Sequence, residues 1–103
     1  MKSLPVVTLE AVREDLQAAY DYFETRVAGA GERFLERYFS TADKIALNPE
    51  IFPVKFDDYH RALISKSNLV VYYFIEPDRT VIVALLDARR HPRLIRDFVR
   101  GRR

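Results

Sequence analysis

The sequence predicts a single α+β domain spanning residues 1–103, in the order β-strand, αα-hairpin, antiparallel β-meander and short C-terminal helix. Three observations predict it. Apolar side chains recur at three- and four-residue spacing from Val12 to Ala46, interrupted once by Gly29 and Gly31, the pattern of two amphipathic helices joined by a tight turn. After Pro53 the helical period gives way to strand-length runs rich in β-branched and aromatic residues. The links between these runs are short and polar, which suits antiparallel hairpins.

Ser3 to Thr8 forms a β-type run with Pro5 near its start, suited to an edge or first strand. From Glu10 to Val27 a helix places Val12, Leu16, Ala19, Tyr20, Phe23 and Val27 on one face, with Glu10, Glu14 and Asp15 near its positive N-terminal end. Ala28-Gly29-Ala30-Gly31 supplies the backbone freedom for the interhelical turn. The second helix presents Phe34, Leu35, Tyr38, Phe39, Ala42, Ile45 and Ala46 and ends before Asn48-Pro49, because proline disfavours helical geometry in its predecessor. Asn48 to Asp58 reads as irregular, and Tyr59–Ser65, Leu69–Ile75 and Thr80–Leu86 as the meander.

In the middle strand Leu69, Val71, Tyr73 and Ile75 oppose Val70, Tyr72 and Phe74, and in the last Val81, Val83 and Leu85 oppose Ile82, Ala84 and Leu86. Both faces are apolar, and the αα-hairpin can cover only one. The other is closed either by a partner chain or by a helix from Pro92 to Arg100, which would turn Leu94, Ile95, Phe98 and Val99 inward.

Composition narrows the function classes. The chain has no Cys, which excludes disulfides, thiol nucleophiles and Cys-based zinc sites. No apolar run reaches membrane-spanning length, and the N-terminus lacks a signal-peptide pattern, so no membrane association and a cytoplasmic location are expected. His60 and His91 have no ligand-spaced companions and the three glycines form no phosphate loop, so neither a metal nor a cofactor is expected. Net charge is +2, but residues 1–51 carry −3 and residues 52–103 carry +5, the excess lying in Arg89, Arg90, Arg93, Arg96, Arg100, Arg102 and Arg103. Such asymmetry suits an acidic or polyanionic partner, or a solvated basic helix.

The one constellation with chemistry is Arg61, Lys66, Arg89, Arg90 and His91. Metal-free RNA cleavage needs cations for a charged phosphorane and an acid–base group, a role open to His91. The same residues serve equally as ion-pair partners of Asp57, Asp58 or Asp87, with His91 starting a helix.

Leu9-Glu10-Ala11-Val12-Arg13-Glu14-Asp15-Leu16, Gly29-x-Gly31-x-Arg33-Phe34-Leu35, Asn48-Pro49-Glu50-x-Phe52-Pro53, His60-Arg61-Ala62-Leu63, Val70-Val71-Tyr72-Tyr73 and Ala88-Arg89-Arg90-His91-Pro92 occur in that order. Together they resemble the RelE/ParE superfamily of type II toxins, also labelled plasmid stabilisation proteins, over almost the whole chain. The resemblance implies a cognate antitoxin, with Val70, Tyr72 and Phe74 as its binding face. In the ParE branch, which the motifs resemble more closely, it implies DNA gyrase as the inhibited target and Arg89, Arg90 and Arg93 as the target surface, without nuclease activity. The RelE branch implies instead a ribosome-dependent mRNA endonuclease with Arg61, Arg89 and His91 as catalytic residues, although the C-terminal Tyr of that branch has no counterpart after Tyr73. A third alternative is the same fold kept as a non-toxic binding or regulatory module. Ser67-Asn68-Leu69 stands where the family often has Phe-Pro-Tyr.

Overall fold

The computed structural model describes residues 3–103; Met1 and Lys2, part of the segment read for a signal peptide, lie outside it. Its elements are β1 (Val6–Thr8), α1 (Glu10–Arg26), α2 (Ala30–Leu47), β2 (Val54–Phe56), β3 (Tyr59–Leu63), β4 (Leu69–Ile75), β5 (Thr80–Asp87) and α3 (Pro92–Gly101). One sheet has the strand order β1-β5-β4-β3-β2, antiparallel except where β1 runs parallel to β5. The parallel pairing follows from the helical hairpin lying between them, which returns the chain across the sheet before the meander begins.

The interhelical turn uses its glycines for two different reasons. Gly29 adopts a φ of 85°, the left-handed region that side chains disfavour. Gly31 is needed for space, because a Cβ there would stand 2.8 Å from the Tyr20 ring. The Glu24 carboxylate accepts hydrogen bonds from the N–H groups of both glycines, at 2.9 and 3.0 Å, and thereby caps the start of α2. Val27 falls beyond the end of α1 and Phe39 faces outward from α2, both 56% exposed, so neither joins the expected apolar stripe.

β2 lies within the stretch that reads as irregular from the sequence: three residues at a sheet edge, Val54 and Lys55 exposed and Phe56 half-buried, carry almost no periodic signal. It is set by the turn through Asp57, at a φ of 50°, and by a tether behind it. The His60 ring Nδ1 lies 2.6 Å from the Phe52 carbonyl, and the Tyr73 hydroxyl donates to the Pro49 carbonyl at 2.7 Å. These bonds hold residues 49–56 against the sheet, and the His60 and Tyr73 rings stack.

Two cores flank the sheet. Val71, Tyr73, Ile82 and Leu85 pack beneath α1 and α2 with Val12, Phe34, Tyr38 and Ile45. Val70, Tyr72, Phe74, Val81, Val83 and Leu86 pack on the opposite face with Ile95 and Val99 of α3. The expected alternation holds in β4 but breaks in β5, where Tyr72 pairs with Ala84 and Tyr73 with Ile82, leaving Val83 as an inserted residue. This bulge moves Leu85 to the face of Ile82 and puts Ala84 and Leu86 beside Val81 and Val83.

The open apolar sheet face allowed by the sequence is closed. Val70, Tyr72 and Phe74, expected as an antitoxin-binding surface, are 1%, 1% and 5% exposed because α3 lies over them. Burying a side chain such as Ile95 or Val99 contributes about 1.5–3 kcal/mol, so a short helix holds this face shut. Leu94 stays 62% exposed, outside the face that packs.

Candidate functional site

The exit of β5 is tied down by hydrogen bonds on both sides of the turn. The Ala88 N–H donates to the Asn68 carbonyl at 2.8 Å, joining the exit to the β3–β4 hairpin tip. Asp87 is chelated by Arg89: one carboxylate oxygen accepts from Arg89 N at 2.8 Å and Nε at 3.0 Å, and the other from Nη2 at 2.7 Å. The Arg89 guanidinium holds the Asp87 carboxyl at about 2, well below the usual carboxylate range. Arg89 is therefore a tied and partly neutralised cation, whereas Arg90 and Arg93 are exposed and have no carboxylate partner among the described residues.

His91 caps α3. Its Nδ1 accepts a hydrogen bond from the Arg93 N–H at 3.1 Å, a side-chain cap with Pro92 in the first turn. That ring nitrogen is committed as an acceptor. Arg61 lies on β3 opposite Tyr72, which in turn pairs with Ala84. Arg89 therefore lies two strands across and five residues along from the Arg61 row, a backbone separation of roughly 15–20 Å at ordinary sheet spacings. The fold thus brings Arg89, Arg90, His91 and Arg93 together and leaves Arg61 apart. Lys66 belongs with the exit, at the hairpin tip, in a left-handed conformation with φ 58°.

Much of the C-terminal positive charge is structural. Arg100 forms a bidentate pair with Asp57 at 2.8 and 3.1 Å, and Arg103 reaches Asp58 at 2.7 Å while its guanidinium lies 3.7 Å from the Phe74 ring centroid. Hydrogen bonds from these arginines hold both carboxyls below their ordinary range. Arg102 makes the most buried pair. Its Nη1 and Nη2 donate to Asp15 at 2.6 and 2.9 Å, and Nη1 also reaches the Val83 carbonyl at 3.1 Å. The same Asp15 accepts the Leu85 N–H at 3.1 Å. Asp15 and Arg102 thereby satisfy the backbone groups turned out at the β5 bulge and tie α1, β5 and α3 at one point. Sequence reasoning assigns Asp15 to the helix dipole; its place between Val12, Leu16 and Ala19, on the buried stripe, is the signal that marks it as more.

A cleft of about 600 Å³ opens beside this clamp. Ala18 and Tyr22 of α1 form one wall, Phe98 of α3 another, Leu69 and Leu86 its apolar part, and Lys66, Arg89 and Arg90 its charged part. Among the described residues no group of His, Asp or Glu is arranged to hold a metal, and no helix is long and apolar enough to cross a membrane.

Residues 6–92 match the family described as ParE toxin of type II toxin-antitoxin system, parDE. A search of curated proteins finds no match. Among solved structures, the fold is similar to a chain of the chromosomal ParDE toxin–antitoxin system from P. aeruginosa, with a TM-score of 0.60 and 11% identity, covering 82% of this chain and 96% of that one. The order of strand, helical hairpin, meander and C-terminal helix, together with a family match over most of its length, establishes that this chain belongs to the ParE family of type II toxin–antitoxin toxins.

Proposed function

We propose that this toxin acts by binding and inhibiting DNA gyrase in the cytoplasm, and that a cognate antitoxin neutralises it. The observation that carries the non-nucleolytic reading is the arrangement at the β5 exit. Arg89 is tied to Asp87, one ring nitrogen of His91 is committed to the α3 cap, and Arg61 lies far across the sheet. A phosphoryl-transfer site needs an acid–base group and cations converging on one phosphate; this arrangement favours a binding surface. Arg90 and Arg93, with Arg89 positioned by Asp87, are the side chains assigned to the target.

The test is a supercoiling assay with purified gyrase and purified toxin. Inhibition of supercoiling, or gyrase-dependent DNA cleavage, is expected, and no effect at large molar excess refutes the gyrase assignment. Transcripts cut at ribosomal A-site codons in a translating extract would replace it with the endonuclease reading. Normal growth on strong induction of folded protein without its antitoxin would replace both with a non-toxic module.

A further inference from the structure

We propose that the cleft between α1, the β3–β4 hairpin tip, the β5 exit and Phe98 is the docking site for an extended acidic segment with apolar side chains at alternate positions. Three observations converge on that occupant. Of the charged groups at the cleft, Asp15 is neutralised by Arg102, and Asp87 and Arg89 neutralise each other. Lys66 and Arg90 remain, without carboxylate partners among the described residues, so the net charge offered to an occupant is positive.

The cleft is also apolar where it is not basic. Tyr22 is 51% and Phe98 39% exposed, each with a guanidinium against its ring, Arg26 at 3.6 Å and Arg102 at 4.3 Å. Rings braced in this way lose little conformational freedom when an apolar side chain packs on them.

The third observation concerns the backbone. β1 accompanies β5 only from Thr80 to Ile82, so from Val83 to Asp87 the strand has no strand neighbour on the α1 side. Asp15 and Arg102 satisfy the Leu85 N–H and the Val83 carbonyl, and beyond them the main chain of β5 borders the cleft. An extended peptide lying there places alternate side chains on the apolar wall and the others toward Lys66 and Arg90. A conformational detail agrees: Lys66 holds a left-handed turn position that Gly or Asn would fill with less strain, keeping a cation at the rim.

The identity of the natural occupant rests on the antitoxin reading proposed for this toxin: a tail docked here covers Arg90 and so blocks the surface assigned to the target. The cleft itself is tested with a defined probe. An acetylated seven-residue peptide amide alternating glutamate with leucine, with phenylalanine at its centre, is titrated into the full-length isotope-labelled protein and followed by amide chemical shifts. Saturable shifts at residues 66–69, 85–90 and Tyr22 are expected. Affinity should fall at least tenfold in the Lys66→Glu/Arg90→Glu variant and less than threefold in Arg93→Glu, with unchanged dispersion showing that each variant is folded. The absence of saturable shifts at millimolar peptide, or shifts centred elsewhere, overturns the proposal, as does an oligothymidylate that displaces the peptide and binds the cleft more tightly. The protein encoded beside this gene separates the two readings. If it neutralises toxicity yet binds the double variant as tightly as the wild type, the cleft assignment falls and the toxin reading stands. If the peptide binds as expected and no neighbouring protein neutralises the chain, the cleft stands and the antitoxin reading falls.

Discussion

Asp15→Ala is the substitution that most directly tests how this fold is held together. It removes the acceptor for Arg102 at 2.6 and 2.9 Å and for the Leu85 N–H at 3.1 Å. Removing one partner of a buried ion pair costs about 3–5 kcal/mol, because the remaining charge is left uncompensated. The Arg102 and Asp15 side chains keep 17% and 13% exposure, so water offsets part of the loss and about 2–4 kcal/mol is expected. For a domain of this size that corresponds to a fall in Tm of roughly 10–25 °C. Thermal and urea unfolding followed by circular dichroism measures it. A cycle with Arg102→Ala should show a coupling of at least about 1 kcal/mol, whereas Asp57→Ala, at a more exposed pair, should shift Tm much less. If Asp15→Ala costs less than about 1 kcal/mol, or if the Asp15 and Arg102 losses simply add, the clamp does not join α1, β5 and α3 as argued.

Gly31→Ala should destabilise by about 1–3 kcal/mol, since its Cβ would meet the Tyr20 ring at 2.8 Å; a calorimetric Tm equal to wild type contradicts this. Thr80→Val should stabilise by about 1 kcal/mol, because the Thr80 hydroxyl is fully buried and has no partner among the described residues; a lower urea midpoint would count against it. Glu24, Asp57, Asp58 and Asp87 all have carboxyls held below their ordinary values, Glu24 by the Gly29 and Gly31 N–H groups and the aspartates by hydrogen bonds from arginines. The folded state then binds fewer protons than the unfolded one, so their stabilisation is complete above the unfolded values near about 4. It is lost as pH falls through the folded values, for Asp87 about 2. Stability measured from pH 6 downward should therefore drop below about pH 4, and a rise there would refute the assignment. Arg90→Glu/Arg93→Glu should abolish growth inhibition and leave Tm within about 2 °C of wild type, as expected of exposed side chains without ion-pair partners; retained toxicity would remove them from the target surface.

Where a residue's role follows from its neighbours in the chain, the sequence exposes it. The helical stripes of α1 and α2, the glycines between them and the strand-length runs are local periodicities, as is the Pro92 start of α3. β2 stays hidden because three edge residues have no period to read, and the bulge at Val83 because an inserted residue shows only when a strand is paired. The candidate site is legible as a set of residue types but not as a geometry. Arg61 and Arg89 both stand near the ends of apolar runs, yet strand register alone decides that they do not converge.

Sequence alone determined the fold class, the order of elements apart from β2, the apolar character of both sheet faces and the concentration of arginine after β5. Each is a matter of composition and spacing along one dimension. Only the tertiary structure decided that α3 closes the second face over Val70, Tyr72 and Phe74, that Arg89, Arg100, Arg102 and Arg103 are engaged internally, and that Lys66 and Arg90 are left to face a shared cleft. The physical reason is that ion pairing and burial depend on distance in space. Asp15 and Arg102 lie 87 residues apart in the chain and form a hydrogen bond of 2.6 Å.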